Sequence, residues 1–133
     1  MIIALDTSVL VAAQITTAGT CADVVKFSLR EHRLVLSNYI LEEFERTMIK
    51  KLRYPPELAR SFVDDYRAVA LMVEPLPVAS DLCRDPADAA ILGTALAAKA
   101  DMLVTVDRDL LDITAKIGVD IVNPREFFRR THT

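Results

Sequence analysis

Four segments of the chain carry carboxylates where chemistry could be done: Asp6, the adjacent Glu42 and Glu43, the pair Asp85 and Asp88, and the pair Asp107 and Asp109. Carboxylate oxygens without imidazole or thiolate suit hard cations such as Mg²⁺ or Mn²⁺, and suit zinc or copper poorly. A cation so held lowers the pKa of a coordinated water, neutralises phosphate oxygens and stabilises a leaving oxygen, which equips a site for hydrolysing a phosphate ester. Neither His32 nor His132 lies in these segments, which argues against metal-free cleavage by paired histidines. Cys21, Cys83 and the two histidines also lack zinc-ligand spacing.

Such acids act together only if the fold gathers them. Met1 to Leu5 is an unbroken apolar run that ends on Asp6, Thr7 and Ser8, and Met102-Leu103-Val104-Thr105-Val106 repeats the design before Asp107. Apolar side chains on both faces predict strands buried on both sides, as in a parallel sheet with helices above and below. In such sheets ligands bind just beyond the carboxyl ends of the strands. Two neighbouring strands of this kind would aim Asp6 and Asp107 at one place. Each has a plainer role as well: Asp107 as cap of the helix that follows, Asp109 as a complement to its dipole.

Arg84-Asp85-Pro86-Ala87-Asp88 reads as a helix start, with Asp85 at the N-cap and Pro86 at the first helical position. Asp88 then falls in line with Ile91, Leu92 and Ala95, the face turned towards the core. A carboxylate there is either aimed into a cleft or buried at a cost that cationic company must offset. Simple capping by Asp85 and Asp88 stays open. In Ser37 to Phe44 both Glu42 and Glu43 lie off the apolar stripe, so helical geometry does not choose between them.

Residues 1–133, 52% hydrophobic, are expected to form a single domain with a real core. The longest small and apolar stretch, Ala89 to Ala98, is about half a bilayer span and is interrupted by Gly93 and Thr94. No basic region precedes the first apolar run, so neither a membrane segment nor a secretory leader is expected, and the chain is expected in the cytoplasm. Cys21 and Cys83 should then be reduced, buried, small hydrophobes. A net charge of −3 argues only weakly against a nucleic-acid partner. With four of the nineteen acids neutralised by cations, sixteen basic residues face fifteen acidic ones. Lys50-Lys51-Leu52-Arg53, Arg108 and Arg129-Arg130 are candidate phosphate contacts, with an ordinary solvated face as the alternative.

Periodicity predicts a short helix over Val9 to Ala13, a turn at 17–20, and a helix over Ala22 to Leu29 with Val24, Val25, Ser28 and Leu29 on one face. A strand Leu34 to Leu36 follows, then a helix capped by Ser37 with an apolar stripe at Leu41, Phe44, Met48 and Leu52. Another helix is expected over Glu57 to Val73, with Leu58, Phe62, Val69 and Met72 in the core. A helix Pro86 to Lys99, a strand 102–106, a helix from about 108 to 117, a stop at Gly118, a strand Val119 to Val122 and a helix from Pro124 complete the chain. Strands alternating with helices predict an α/β domain, a three-layer sandwich with a mainly parallel central sheet.

Taken in order, Leu5-Asp6-Thr7-Ser8, a helical Glu before a bulky hydrophobic residue, Asp85-Pro86-Ala87-Asp88 and Thr105-Val106-Asp107-Arg108-Asp109-Leu110-Leu111 resemble the PIN domain. The likeness extends to Val122-Asn123-Pro124-Arg125-Glu126-Phe127-Phe128 and so covers nearly the whole chain. More narrowly, the chain is similar to the small bacterial and archaeal VapC-like proteins described as toxins of toxin–antitoxin pairs. The resemblance implies a PIN-like fold and a metal-dependent endoribonuclease with Mg²⁺ or Mn²⁺ held at the carboxyl end of the sheet. Matched position by position, it implies Asp6, Glu43, Asp88 and Asp107 as catalytic metal ligands, Glu43 being preferred because Phe44 follows it. Asp85 and Asp109 would be accessory, and Thr105 would hydrogen-bond within the site. Ser8 stands where the group commonly has Asn, so a hydroxyl replaces an amide there. The resemblance further implies RNA as substrate, cut by in-line attack of water to leave a 5′-phosphate and a 3′-hydroxyl, together with a cognate antitoxin and a homodimer.

Two other readings use the same residues. An Asp closing a first strand also opens the haloacid-dehalogenase pattern, a phosphohydrolase with Asp6 as nucleophile, but that pattern needs an Asp where Ser8 stands. A non-catalytic α/β interaction module with its acids as helix caps predicts no response to Mg²⁺ or Mn²⁺.

Overall fold

The apolar run at the start of the chain forms β1 (Ile2–Leu5), in which Ile3, Ala4 and Leu5 are fully buried. The structure, a computed structural model, describes residues 1–113 and 117–132. After β1 come α1 (Thr7–Ile15), α2 (Thr20–Glu31), β2 (Arg33–Leu36), α3 (Asn38–Lys50), α4 (Pro56–Val69) and β3 (Leu71–Met72). Then follow α5 (Pro86–Ala97), β4 (Met102–Val104), α6 (Arg108–Leu111), β5 (Asp120–Val122) and α7 (Pro124–Thr131). The strands pair in the order β3-β2-β1-β4-β5, every pairing parallel.

This order locates the functional end of the sheet. The chain grows outwards from β1 through β2 to β3, returns across the sheet with α5, and grows the other way through β4 and β5. Right-handed connections put the helices of the first excursion over one face and α5 over the other, which makes the three-layer sandwich. α7 packs on α2 and on β4 and β5. Between β1 and β4 the direction of growth reverses, and doubly wound sheets open a crevice beyond the carboxyl ends of such a strand pair. Leu5 lies opposite Val104, so Asp6 and Thr105 emerge side by side at that crevice, with the Asp6 amide donating to the Val104 carbonyl at 3.0 Å.

Several expectations need correction. The helix expected to run to Val73 stops at Val69, because Ala70 turns extended (φ −89°, ψ 152°) and Leu71 and Met72 pair with Val35 and Leu36 along the open edge of β2. Leu58 and Val69, expected in the core, are 42% and 62% exposed; α4 buries Ala59 and Val63 instead. Leu29 is likewise exposed, although Val24, Val25 and Ser28 on the same helix are buried. β4 ends at Val104, two residues short of the expected strand, and Thr105 turns to bond Asp6. α1 is longer than expected at both ends. Cys21 and Cys83 are free thiols, but half-buried where full burial was expected. α6 ends at Leu111, and residues 114–116 of the helix expected there lie outside the described residues. Among the described residues no single helix is long and apolar enough to cross a membrane.

α5 sits close to its neighbours on every side. Asp88, Ile91, Leu92, Gly93, Thr94 and Ala95 are all buried, and the segment after β3 lies across the helix with the Leu76 amide donating to the Gly93 carbonyl at 3.0 Å. A Cβ at position 93 would stand 2.2 Å from the Leu76 carbonyl oxygen, a backbone atom that a rotamer change cannot move. Gly93→Ala gains about 1 kcal/mol of helix propensity. Overpacking of this kind costs about 1–3 kcal/mol, and backbone crowding puts this case at the upper end. The substitution should therefore lower stability in urea unfolding; an unchanged or raised midpoint would show that the Leu76 segment yields freely.

Candidate active site

The crevice between β1 and β4 is a cleft of about 330 Å³, and Asp6, Glu43, Asp88 and Asp107 all line it. Four stretches of sequence thus deliver one carboxylate each to a common space. Glu43 lines the cleft from α3 while Glu42 is exposed to solvent, a difference that helical periodicity alone does not give. Thr7, Ser8, Val11 and Ile91 complete much of the wall. A larger groove of about 780 Å³ beside β3 has no acid in its lining, so chemistry and not size marks the candidate site.

Asp6 is 3% exposed and held by two hydroxyls. Its Oδ2 accepts from Ser8 Oγ at 2.8 Å and from Thr105 Oγ1 at 2.6 Å. Each hydroxyl also accepts from the turn after β4, Thr105 Oγ1 from the Asp107 amide at 2.9 Å and Ser8 Oγ from the Val106 amide at 3.4 Å. One proton and one lone pair of each hydroxyl are therefore committed, and the turn that carries Asp107 hangs from Asp6. Ser8 works here as both donor and acceptor.

Capping and cleft lining prove compatible. Asp107 Oδ1 accepts from the Asp109 amide at 2.9 Å and so caps α6, yet the residue lines the cleft. Asp85 caps α5 through the Ala87 amide at 2.8 Å and is exposed, outside the cleft lining. Asp88, Asp107 and Asp109 each offer an oxygen within 4.8 Å of the others, which brings Asp109 closer to the cluster than its accessory place in the sequence suggested. Three oxygen donors this close, one of them on a residue only 6% exposed, fit a hard divalent cation.

Cationic company is expected for a carboxylate placed as Asp88 is, but among the described residues no Lys or Arg pairs with Asp6, Asp88 or Asp107. Burial above all, then the charges of Asp107, Asp85 and Asp6, push the Asp88 carboxyl from 3.8 up to about 7. Arg129 and Arg130, read as candidate phosphate contacts, are engaged with Glu126 at 2.7 Å and 2.9 Å, and Arg130 also with Asp120 at 2.8 Å.

Residues that carry no acid also shape the site, among them Ser37, expected only as a helix cap. Thr94 Oγ1 lies 2.8 Å from Ser37 Oγ, both fully buried, and Ser37 caps α3 by accepting from the Ile40 amide at 3.4 Å. This hydroxyl pair ties the start of α3, which carries Glu43, to α5, which carries Asp88. Tyr39 stands one helical turn before Glu43, and burial together with the Glu43 carboxylate raises its phenol above the usual value. Burial, then Asp88 and Asp85, push the Cys83 thiol up as well, and its Sγ lies 3.7 Å from the Asp85 carbonyl. Position is the one clue the sequence offers to Tyr39 and Cys83, each a few residues from an acid.

A parallel sheet ordered β3-β2-β1-β4-β5, with acids gathered at its switch point, defines a doubly wound α/β protein with an acid-lined cleft. Residues 3–109 match the PIN domain, and the chain belongs to that family. Solved structures similar to it include VapBC2 from Rickettsia felis bound to a DNA fragment from their promoter, at 17% identity over 92% of this chain and 98% of that one, with a TM-score of 0.67. VapBC-1 from nontypeable Haemophilus influenzae matches at 18% identity over 94% and 99%, with a TM-score of 0.65. DNA bound VapBC from Salmonella typhimurium matches at 18% over 93% and 98%, with a TM-score of 0.66. At such identities the likeness speaks for the fold. No curated protein matches the chain in sequence.

Because the folded-state pKa of Asp88 lies above its unfolded value, its protonated form stabilises the metal-free fold. That contribution is complete below about pH 4 and is lost as the pH rises through about 7. Asp88→Asn is neutral throughout, so in metal-free buffer its Tm relative to the wild type should climb between about pH 4 and about pH 7. A difference that stays flat across that range would contradict the burial and crowding described here.

Proposed function

We propose that this protein is a Mg²⁺- or Mn²⁺-dependent endoribonuclease, the toxin of a toxin–antitoxin pair, acting in the cytoplasm as a homodimer. The observation that carries this reading is the meeting of Asp6, Glu43, Asp88 and Asp107 in one cleft with no cationic side chain paired to Asp6, Asp88 or Asp107 among the described residues. Membership of the PIN family supports hydrolysis of RNA phosphodiesters. Fold similarity to proteins solved as VapBC complexes supports an antitoxin partner.

In this reading Asp6, Glu43, Asp88 and Asp107 hold the metal. When bound, it lowers the pKa of the attacking water and neutralises charge on the phosphate and on the leaving oxygen. The chain's own groups prepare that chemistry. Ser8 and Thr105 hold Asp6 Oδ2 and leave Oδ1 for the cleft. Ser37 and Thr94 fix α3 against α5, and with it the spacing of Glu43 and Asp88. Asp109 is near enough to assist, while Asp85 orients the start of α5. The antitoxin would dock on the surface shared by α1, α2 and α4, where Leu29 and Val69 are 40% and 62% exposed around a groove lined also by Gln14, Phe62 and Tyr66.

Asp6→Asn and Asp88→Asn should each lower Mn²⁺-stimulated RNA cleavage about 100-fold or more, with far-UV circular dichroism unchanged. Full activity in both folded variants would exclude the mechanism and favour a module whose acids are only helix caps.

A further inference from the structure

We propose that the outward face of α1 is a nucleobase shelf, on which Val11, Ala12 and Ile15 carry the base of the nucleotide next to the scissile phosphate. This deepens the nuclease reading above and rests on it. Ser8, Val11, Ala12 and Ile15 recur at i, i+3, i+4 and i+7, one stripe of α1, and all four line the cleft. The stripe leads away from Asp6. It runs about 10 Å along the helix, from the hydroxyl that holds Asp6 to an isoleucine that is 56% exposed. A surface helix ordinarily turns polar side chains outward. α1 has no charged residue, buries Val9, Leu10 and Ala13 on one side, and still presents Val11, Ala12 and Ile15 on the other. A single exposed aliphatic side chain needs no explanation, but three in register on one helix face, inside the cleft that holds the acids, suit an apolar occupant.

The surroundings choose that occupant. Shelf and acids share one cleft of about 330 Å³, at the lower end for sites that take one small molecule, so whatever sits on the shelf abuts the acids. No Lys or Arg is among the described residues that line it, and a second phosphate would find no counter-charge there. A nucleobase is uncharged, has an apolar face, and is tethered to the phosphate that the cations hold. Thr47, on α3 one turn beyond Glu43, adds to the same cleft a hydroxyl that can meet a base edge. Such contacts grip the face of any base. They require one that is unstacked and unpaired, which makes RNA that is single-stranded at the cut the substrate.

The test uses the full chain loaded with Mg²⁺ and follows its methyl NMR resonances during titration with adenosine 5′-monophosphate, adenosine 3′-monophosphate or ribose 5-phosphate. At least one of the two nucleotides should shift the Val11 and Ile15 methyls saturably and bind about tenfold more tightly than ribose 5-phosphate, which has the phosphate but no base. Ile15→Ala should cut that preference about threefold and Ile15→Met should preserve it, with the affinity for ribose 5-phosphate unchanged in both. Ile15 stands at the exposed end of α1, so both variants test the shelf in a folded protein. Methyls that stay still at saturating nucleotide, equal affinity for all three probes, or a preference untouched by Ile15→Ala would overturn the proposal and leave this face to a protein partner. None of the probes contains a phosphodiester, so failure of the nuclease reading, seen as undiminished RNA cleavage by Asp88→Asn, remains a separate result.

Discussion

Mutual repulsion among carboxylates at the carboxyl end of the sheet is the constraint around which this protein is arranged. Oxygens of Asp88, Asp107 and Asp109 lie within 4.8 Å of one another, a range at which two ionised groups near a protein surface repel by roughly 3–4 kcal/mol. Asp6 and Glu43 line the same cleft, and no Lys or Arg pairs with Asp6, Asp88 or Asp107 among the described residues. Burial first, and then this repulsion, push the Asp88 carboxyl up to about 7, so that a proton relieves part of the strain. A divalent cation would relieve it more completely, and at any pH where the carboxylates are free to ionise.

Rigid elements hold the acids against that repulsion. The parallel register sets Asp6 beside Thr105, and the short bond from the Thr105 hydroxyl locks the two strand ends together. On the other side of the cleft the buried Ser37–Thr94 pair joins the helices that bear Glu43 and Asp88. The close crossing of Leu76 over Gly93 presses α5 into place from outside. These contacts are made by small hydroxyls and a glycine, residues able to bring backbones close while satisfying the polar groups they bury.

Much of this was legible in the sequence, for reasons that can be separated. Asp6 and Asp107 stood out because each closes an apolar run, and a buried parallel strand delivers its next residue to the ligand-binding end. Asp88 stood out because it shares a helical face with Ile91, Leu92 and Ala95, all buried in the structure. Glu43 could not be separated from Glu42 by periodicity, since both lie off the apolar stripe and only packing against α1 and α5 distinguishes them. The Ser37–Thr94 contact joins residues 57 apart, and nothing local to either betrays it. β3 was hidden because its two residues continue an apolar helical pattern, and the open edge of β2 overrides that pattern. Leu58 and Val69 misled for the related reason that α4 is covered on one narrow face only.

If acids and cation form one unit, metal binding must displace the proton that Asp88 carries near neutrality. Calorimetric titration of the full chain with Mn²⁺ near pH 7, repeated in buffers of different ionisation enthalpy, measures binding and proton release together. The account predicts saturable binding with release of a fraction of a proton, and loss of both in Asp88→Asn. Absence of binding, or binding by wild type and Asp88→Asn alike with no proton released, would contradict it.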